Sequence, residues 1–78
     1  MKKTLGEQRV RTDFNPSEGS VGTIVDVIKQ KSAELINLCG NITIDDTKKD
    51  VGEFKRLVSL AQTNIEQAAM WAVKAATI

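Results

Sequence analysis

The chain has 78 residues, of which 41% are hydrophobic and 27% are charged, a composition typical of one small folded domain. Lys and Arg together number 11 and Asp and Glu number 10, so the formal net charge is +1. This near-neutral balance disfavours proteins that wrap duplex DNA or coat an anionic membrane. There is no histidine and a single cysteine, which excludes Ser-His-Asp and Cys-His nucleophiles and the usual zinc sites. We therefore predict no catalytic residue, no metal and no cofactor.

The apolar runs are too short for a signal peptide or a membrane span, and the one cysteine, Cys39, cannot form a disulfide within the chain. We therefore expect a single domain over residues 1–78 in a reducing cytoplasm. Residues 1–20 combine charges of both signs with glycine, one proline and few apolar side chains. This pattern predicts an N-terminal arm that is irregular or briefly helical.

A first long helix is predicted over residues 21–39. Its apolar and small positions recur at steps of three and four, which places them on one helix face: Val21, Ile24, Val25, Ile28, Ser32, Leu35 and Cys39. Ser20 is the expected N-cap and Gly40 the expected residue after the C-cap. Residues 40–49 are then a loop, because the run from Ile42 to Ile44 is too short to pair as a sheet.

A second helix is predicted over residues 50–76, preceded by Thr47 and Asp50 in a spacing that resembles a capping box. Its expected buried face again steps by three and four: Phe54, Leu57, Ala61, Ile65, Ala68, Ala72 and Ala75. The fold class is therefore all-α, with a short N-terminal arm or helix followed by an antiparallel two-helix hairpin.

The hairpin has more apolar side chains than one seam between two helices can bury. The excess lies outside the two predicted faces: Val27, Ile36, Leu38, Val58, Leu60, Met70, Trp71 and Val73. Small domains without disulfides or metals commonly bury such surface by oligomerisation. We therefore expect a homo-oligomer, in which Trp71 packs as a wedge between helices.

Phe14 and nearby cations are the candidate ligand residues. Phe14 lies in a polar arm with no apolar face to join, so it either fills a gap in an oligomer core or stacks on a nucleobase. Lys29 and Lys31 flank the apolar face of the first helix and either point into solvent or contact an anion. Arg9 and Arg11, together with Phe14 and Lys29, suit a ligand that carries both phosphates and bases.

Three segments carry a resemblance to a known family: GEQRVRTDFNPSEGS, IKQKSAELINL and, most specifically, the AAMWAVKAA part of LAQTNIEQAAMWAVKAAT. They resemble the phage-encoded helical-hairpin family shared by type 2 anti-CBASS proteins and the hairpin part of Thoeris anti-defence proteins. The resemblance implies a homohexameric sponge in the host bacterial cytoplasm. Such a protein sequesters cyclic oligonucleotide alarm signals without making or breaking a bond.

The resemblance also implies site residues. Phe14 matches an aromatic that stacks on a base, and Lys29 matches a lysine that contacts phosphate; Arg11 and Asn15 are added because they lie nearby in sequence. Cyclic dinucleotides such as cGAMP are the expected ligands, and cyclic trinucleotides are further candidates. Cyclic ADP-ribose is disfavoured because the chain is too short for the extra N-terminal β region of the Thoeris members. No nucleic-acid polymer and no membrane is an expected partner.

The residues alone are compatible with two other classes of protein. One is a helical protein-protein interaction or regulatory module with no nucleotide ligand, in which the apolar face captures a partner helix. The other is a small DNA-binding regulator, which the neutral charge and the lack of a helix-turn-helix pattern disfavour.

Overall fold

The computed structural model of the protein describes residues 2–15, 17–45, 47 and 50–78. These residues form three helices and no strand: α1 (Leu5–Val10), α2 (Gly19–Gly40) and α3 (Val51–Ala76). The all-helical class is therefore confirmed. Ile36 of α2 contacts Gln62 of α3, whereas the earlier Lys29 shares a pocket with the later Val73, so α2 and α3 run antiparallel.

Helix α1 forms within the N-terminal arm because a capping box stabilises its first turn. The Thr4 hydroxyl accepts a hydrogen bond from the Glu7 backbone N–H at 3.2 Å, and the Glu7 carboxylate accepts one from the Thr4 N–H at 2.9 Å. The helix ends at Arg11, which adopts a left-handed conformation with φ of 57°. This left-handed residue turns the chain sharply towards Phe14.

Helix α1 packs on α2 through a glycine and an asparagine. The backbone of Gly6 lies against the backbone of Ala33. The Gly6 N–H donates to the Asn37 side-chain oxygen at 2.8 Å, and the Asn37 amide donates to the Thr4 hydroxyl at 2.8 Å. Asn37 therefore ties the start of α1 to the last turn of α2.

Both expected caps of the first long helix are wrong. Helix α2 begins two residues earlier than predicted, with Glu18 at the N-cap and Ser20 inside the helix, because the Gly22 N–H already bonds to the Glu18 carbonyl at 3.2 Å. At the other end Gly40 is still helical and Asn41 is the C-cap, with a right-handed φ of −94°. The left-handed turn that favours glycine after a helix does not occur there.

Helix α3 begins at Val51, one residue later than predicted, and ends at Ala76 as expected. Asp50 is its N-cap and accepts a hydrogen bond from the Glu53 N–H at 2.9 Å. The proposed pairing of Thr47 with Asp50 is therefore wrong, since Thr47 lies outside the helix and donates its backbone N–H to Asp45 at 3.0 Å.

The predicted buried faces are only partly correct. Ile36, placed outside the first face, is 0% exposed, whereas Val21, Ile24 and Leu35 are exposed. The reason is that α2 packs against both α1 and α3, and it does so through small residues that hydrophobic spacing overlooks. Val25, on the predicted face, is 1% exposed. The main core cluster comprises Val10, Ala33, Ile36 and Ala69, with Ile28 and Ile65 packed against it.

The buried face of α3 is also rotated from the predicted one. Leu57, Ala68 and Ala75 are exposed, while Ala69 is buried and Val58 is half-buried. A polar residue, Gln62, occupies the middle of the true face and donates to the Ile36 carbonyl at 3.1 Å. A search for apolar spacing passes over such a residue.

The molecule is a thin layer of helices measuring 51 × 28 × 13 Å. Its radius of gyration is 14.8 Å, compared with about 11.5 Å for a compact domain of this length. A thickness of 13 Å is close to the diameter of a single helix, about 10–12 Å. Large apolar side chains such as Leu38, Met70 and Trp71 are exposed in the single chain.

Within the described part of the chain, no helix combines the length and apolar character needed to cross a lipid bilayer.

Candidate ligand-binding pocket

A pocket of about 320 Å³ lies where the end of α1 and the following turn meet α2 and α3. The end of α1 and the turn contribute Arg9, Val10, Arg11 and Phe14, and α2 contributes Lys29. Helix α3 supplies the opposite wall through Glu66, Ala69, Met70, Val73 and Lys74. The pocket thus joins three of the four site residues expected from the sequence.

The pocket concentrates positive charge. Four cationic side chains, Arg9, Arg11, Lys29 and Lys74, line it together with one carboxylate, Glu66, so its local net charge is 4 − 1 = +3. The whole chain has a net charge of only +1. The near-neutral total therefore hides a local site suited to an anion.

The turn after α1 sets Phe14 beside Arg11. The Phe14 N–H donates to the Arg11 carbonyl at 2.9 Å, which closes a tight turn. The Arg11 guanidinium carbon lies 4.7 Å from the centroid of the Phe14 ring, within cation-π range. Phe14 is 53% exposed, so part of its ring remains accessible to a planar ligand.

Lys29 lies beneath this turn and is only 7% exposed. Its ammonium donates to the Arg11 carbonyl at 3.1 Å and also to the Phe14 carbonyl, and it lies 5.6 Å from the Phe14 ring centroid. Burial lowers the pKa of Lys29, and the adjacent Arg11 charge lowers it further, against a smaller opposing effect of Asp26. Lys29 is therefore already engaged within the protein.

Asn15 does not line the pocket. Its side-chain N–H₂ donates to the Gly22 carbonyl at 2.8 Å and to the Asp26 carboxylate at 2.7 Å, and its side-chain oxygen accepts from the Ser17 N–H at 3.1 Å. These bonds attach the turn to the start of α2. A direct contact between Asn15 and a ligand stays a prediction.

The contribution of α3 to the pocket was not expected from the sequence. Glu66, Met70 and Lys74 follow one another at intervals of four, which places them on one side of the helix. Glu66 also lies 3.4 Å from the Arg9 guanidinium, which links α3 to α1. The interval of four was visible in the sequence, but the face of α3 that meets α1 depends on packing.

One comparison with known proteins covers almost the whole molecule. Residues 6–77 match the family model described as "Acb2/Tad1, hairpin domain". The chain belongs to this family. The match confirms the resemblance carried by the sequence segments. No curated protein and no solved structure gives a match to the chain.

The Acb2/Tad1 family is one of anti-defence proteins that bind cyclic oligonucleotides, and it acts by binding rather than by catalysis. Every residue that lines the pocket falls within the matched range. An aromatic ring beside several cations is the arrangement that such a ligand needs, because nucleobases stack on aromatic faces and phosphates bind guanidinium and ammonium groups.

Proposed function

We propose that this protein is a phage anti-defence sponge that binds a cyclic dinucleotide such as cGAMP in the pocket between α1, α2 and α3. The bound signal stays intact and does not reach the CBASS effector that it would activate. The observation that carries this proposal is the accessible Phe14 ring beside Arg11 in a pocket of local charge +3.

The chemistry of the ligand fits the pocket. A nucleobase stacks on the accessible part of the Phe14 ring, and the Arg11 guanidinium can give two parallel hydrogen bonds to one phosphate. Lys29 is retained as a proposed contact, because an ammonium has three donors and two of them already bond to carbonyl oxygens. Asn15 stabilises the turn that carries Phe14 through its hydrogen bonds to Gly22 and Asp26 of α2.

Two copies of the chain would complete the site. The pocket of about 320 Å³ lies near the lower end of the range for small-molecule sites, roughly 300–1,000 Å³. A cyclic dinucleotide has two bases and two phosphates, so a pocket from each of two protomers matches its two halves. The exposed Met70, at the edge of the pocket, and its neighbour Trp71 provide apolar surface for this contact.

The proposed assembly is a homo-oligomer, and the family relationship leads us to expect a hexamer. We place the protein in the cytoplasm of the infected bacterium, where such signals are made. Cyclic trinucleotides are candidates for a second kind of ligand. We expect no nucleic-acid polymer, no membrane and no cofactor among its partners.

Calorimetry against a panel of cyclic di- and trinucleotides tests the proposed function. We expect stoichiometric binding of at least one cyclic dinucleotide, and chromatography after heat denaturation should recover the ligand intact. A linear dinucleotide of the same bases is the matched control and should bind more weakly, because it must lose more conformational freedom. Failure of the whole panel to bind, or recovery of cleaved ligand, would contradict the proposal.

Phe14 provides the test at the level of one residue. Phe14→Ala should weaken binding by about 1–3 kcal/mol, and Phe14→Tyr should retain most of the affinity because the ring is kept. Phe54→Ala is the control, since Phe54 is the only other phenylalanine and lies outside the pocket. Equal affinity of the wild type and Phe14→Ala would show that no base stacks on this ring.

A second candidate function rests on the apolar surface away from the pocket. Leu35 and Leu38 on α2 and Leu57 and Leu60 on α3 are exposed in the single chain. A protein-protein interaction module would use these side chains to hold a partner helix. It predicts partner binding that is independent of any nucleotide, so the same calorimetric panel separates the two functions.

A further inference from the structure

Glu66 is the one carboxylate among the described residues that line the pocket. It shares the pocket with the accessible Phe14 ring and with four cationic side chains: Arg9, Arg11, Lys29 and Lys74. A carboxylate at this place lowers the affinity of the pocket for a phosphate, because like charges repel. Glu66 therefore either holds the helices together or restricts which anions can bind.

The contact between Glu66 and Arg9 leaves much of the carboxylate free. Its Oε1 lies 3.4 Å from the Arg9 guanidinium, whereas a strong bond between these groups is about 2.7–2.9 Å long. Within the described ranges this is the one hydrogen bond of the Glu66 side chain, so Oε2 has no donor there. Both side chains are about one-third exposed, at 33% and 31%. Such a pair adds little to stability, so the negative charge can act on a ligand.

We propose that Glu66 is a specificity-determining residue that keeps polyphosphates, such as nucleoside triphosphates, out of the pocket while it admits a ligand whose phosphates lie apart. The part of this inference that concerns the cyclic dinucleotide rests on the proposed function. The exclusion of polyphosphates can be tested without it.

Nucleoside triphosphates are the competitors that such a pocket must reject. Their base can stack on the Phe14 ring and their phosphate chain can contact the surrounding cations, as the base and phosphate of a cyclic dinucleotide do. These nucleotides are abundant in every cell, so they would occupy a protein that acts by stoichiometric binding. Specificity is a difference between two affinities, and it can be gained by a group that repels the wrong ligand.

The two kinds of ligand differ in how their charge is distributed. A triphosphate concentrates several negative charges on adjacent phosphates, whereas a cyclic dinucleotide carries one charge on each of two phosphates at opposite sides of its ring. If each pocket receives one of these phosphates, Glu66 repels a single charge of the cyclic dinucleotide but several charges of the triphosphate. Because the coulombic energy is proportional to the charge, Glu66 opposes the triphosphate more strongly.

Calorimetry with pyrophosphate, ATP and the tightest cyclic dinucleotide of the panel, all without divalent cations, tests the inference. Glu66→Gln keeps the length of the side chain and an oxygen that can accept from Arg9. It should tighten the binding of pyrophosphate and ATP roughly 10-fold, and that of the cyclic dinucleotide by no more than about 3-fold. Glu66→Asp retains the charge and should still exclude both polyphosphates.

Glu53→Gln is the matched control. Glu53 lies on the same helix outside the pocket, so its replacement changes the total charge of the chain by the same amount as Glu66→Gln. Its affinities should match those of the wild type. The gain in Glu66→Gln should also shrink at high salt, because dissolved ions screen the repulsion that the substitution removes.

Arg9→Gln separates repulsion from a role in holding α1 against α3. If Glu66 acted only through its contact with Arg9, the two substitutions would change the affinity for pyrophosphate in the same direction. Under the proposal they act in opposite directions, because Arg9 attracts the anion and Glu66 repels it. Urea denaturation of Glu66→Gln should give a midpoint close to that of the wild type.

Several results would overturn the inference. Equal affinities of Glu66→Gln and the wild type for pyrophosphate and ATP would do so, as would the lack of measurable binding of both polyphosphates to either protein. A gain of equal size for the cyclic dinucleotide would show that Glu66 opposes all anions alike. If no cyclic dinucleotide binds the wild type, the proposed function fails, and the titrations with pyrophosphate and ATP alone decide whether Glu66 excludes polyphosphates.

Discussion

Gly6 of α1 lies against the backbone of Ala33 in α2. A Cβ added to Gly6 would lie 2.7 Å from both the Cα and the carbonyl carbon of Ala33, and closer still to its carbonyl oxygen. Since both partners are backbone, no side chain can move to relieve the overlap. Helix α1 leads directly into the turn that carries Arg11 and Phe14, so this contact also determines where the pocket forms.

Gly6→Ala should destabilise the protein by about 1–3 kcal/mol or more, because α1 must move away from α2. Ligand affinity should fall as well, since the Phe14 turn follows α1. The matched control is Gly52→Ala, because a Cβ there meets no atom within 4 Å. That change should raise stability by about 0.5–1 kcal/mol through helix propensity. Urea denaturation measures both effects, and equal stability of Gly6→Ala and the wild type would contradict the packing.

Ile36 and Leu35 test which face of α2 is buried. Ile36 is 0% exposed and Leu35 is 47% exposed. Ile36→Ala should lower the free energy of unfolding by about 2–5 kcal/mol, because it leaves a cavity among well-packed neighbours. Leu35→Ala should cost much less, because solvent can fill the space that the side chain leaves. A larger loss for Leu35→Ala than for Ile36→Ala in urea denaturation would instead favour the face that hydrophobic spacing predicts.

Trp71 is 69% exposed in the single chain, so its removal leaves no cavity within one protomer. We expect Trp71→Ala to reduce the size of the oligomer while the helical content of each chain stays the same. If another copy covers the indole, the loss should be about 3–5 kcal/mol for a buried tryptophan. Trp71→Phe should retain part of the assembly. Analytical ultracentrifugation at several concentrations measures the size of the oligomer. An unchanged oligomer in Trp71→Ala would place the interface elsewhere.

The capping box of α1 predicts an acid-dependent loss of stability. Hydrogen bonds from the Thr4 backbone and hydroxyl lower the pKa of Glu7 below its usual 4.5. The positive charge of Lys3 also lowers this pKa, by a smaller amount. Because the folded pKa is below the unfolded one, the contribution of ionised Glu7 is present above pH 4.5. It is lost as the pH falls through the folded pKa.

Glu7→Gln should therefore show a smaller drop in urea midpoint than the wild type between about pH 6 and pH 3. Glu18→Gln is the control, since the Glu18 side chain makes no capping hydrogen bond. Identical acid profiles of the wild type and Glu7→Gln would show that the Thr4 contacts do not favour the ionised carboxylate.

The all-helical class, the approximate limits of both long helices and the family could all be predicted from the amino-acid sequence. These properties depend on local features, namely apolar spacing and short segments such as AAMWAVKAA, which can be recognised without knowing the tertiary contacts. The sequence also indicated three residues that the structure brings into one pocket, Arg11, Phe14 and Lys29.

The buried faces of the helices and the atoms that meet at the pocket could not be predicted in this way, because they depend on tertiary contacts. Ile36 is buried because two helices pack on α2 through the small residues Gly6 and Ala33, and such close approach depends on residues far apart in the chain. The same packing brings Lys74 of α3 to the pocket and places the Lys29 ammonium beneath the turn from Arg11 to Phe14. Side-chain direction follows from these long-range contacts, and no local pattern in the sequence contains them.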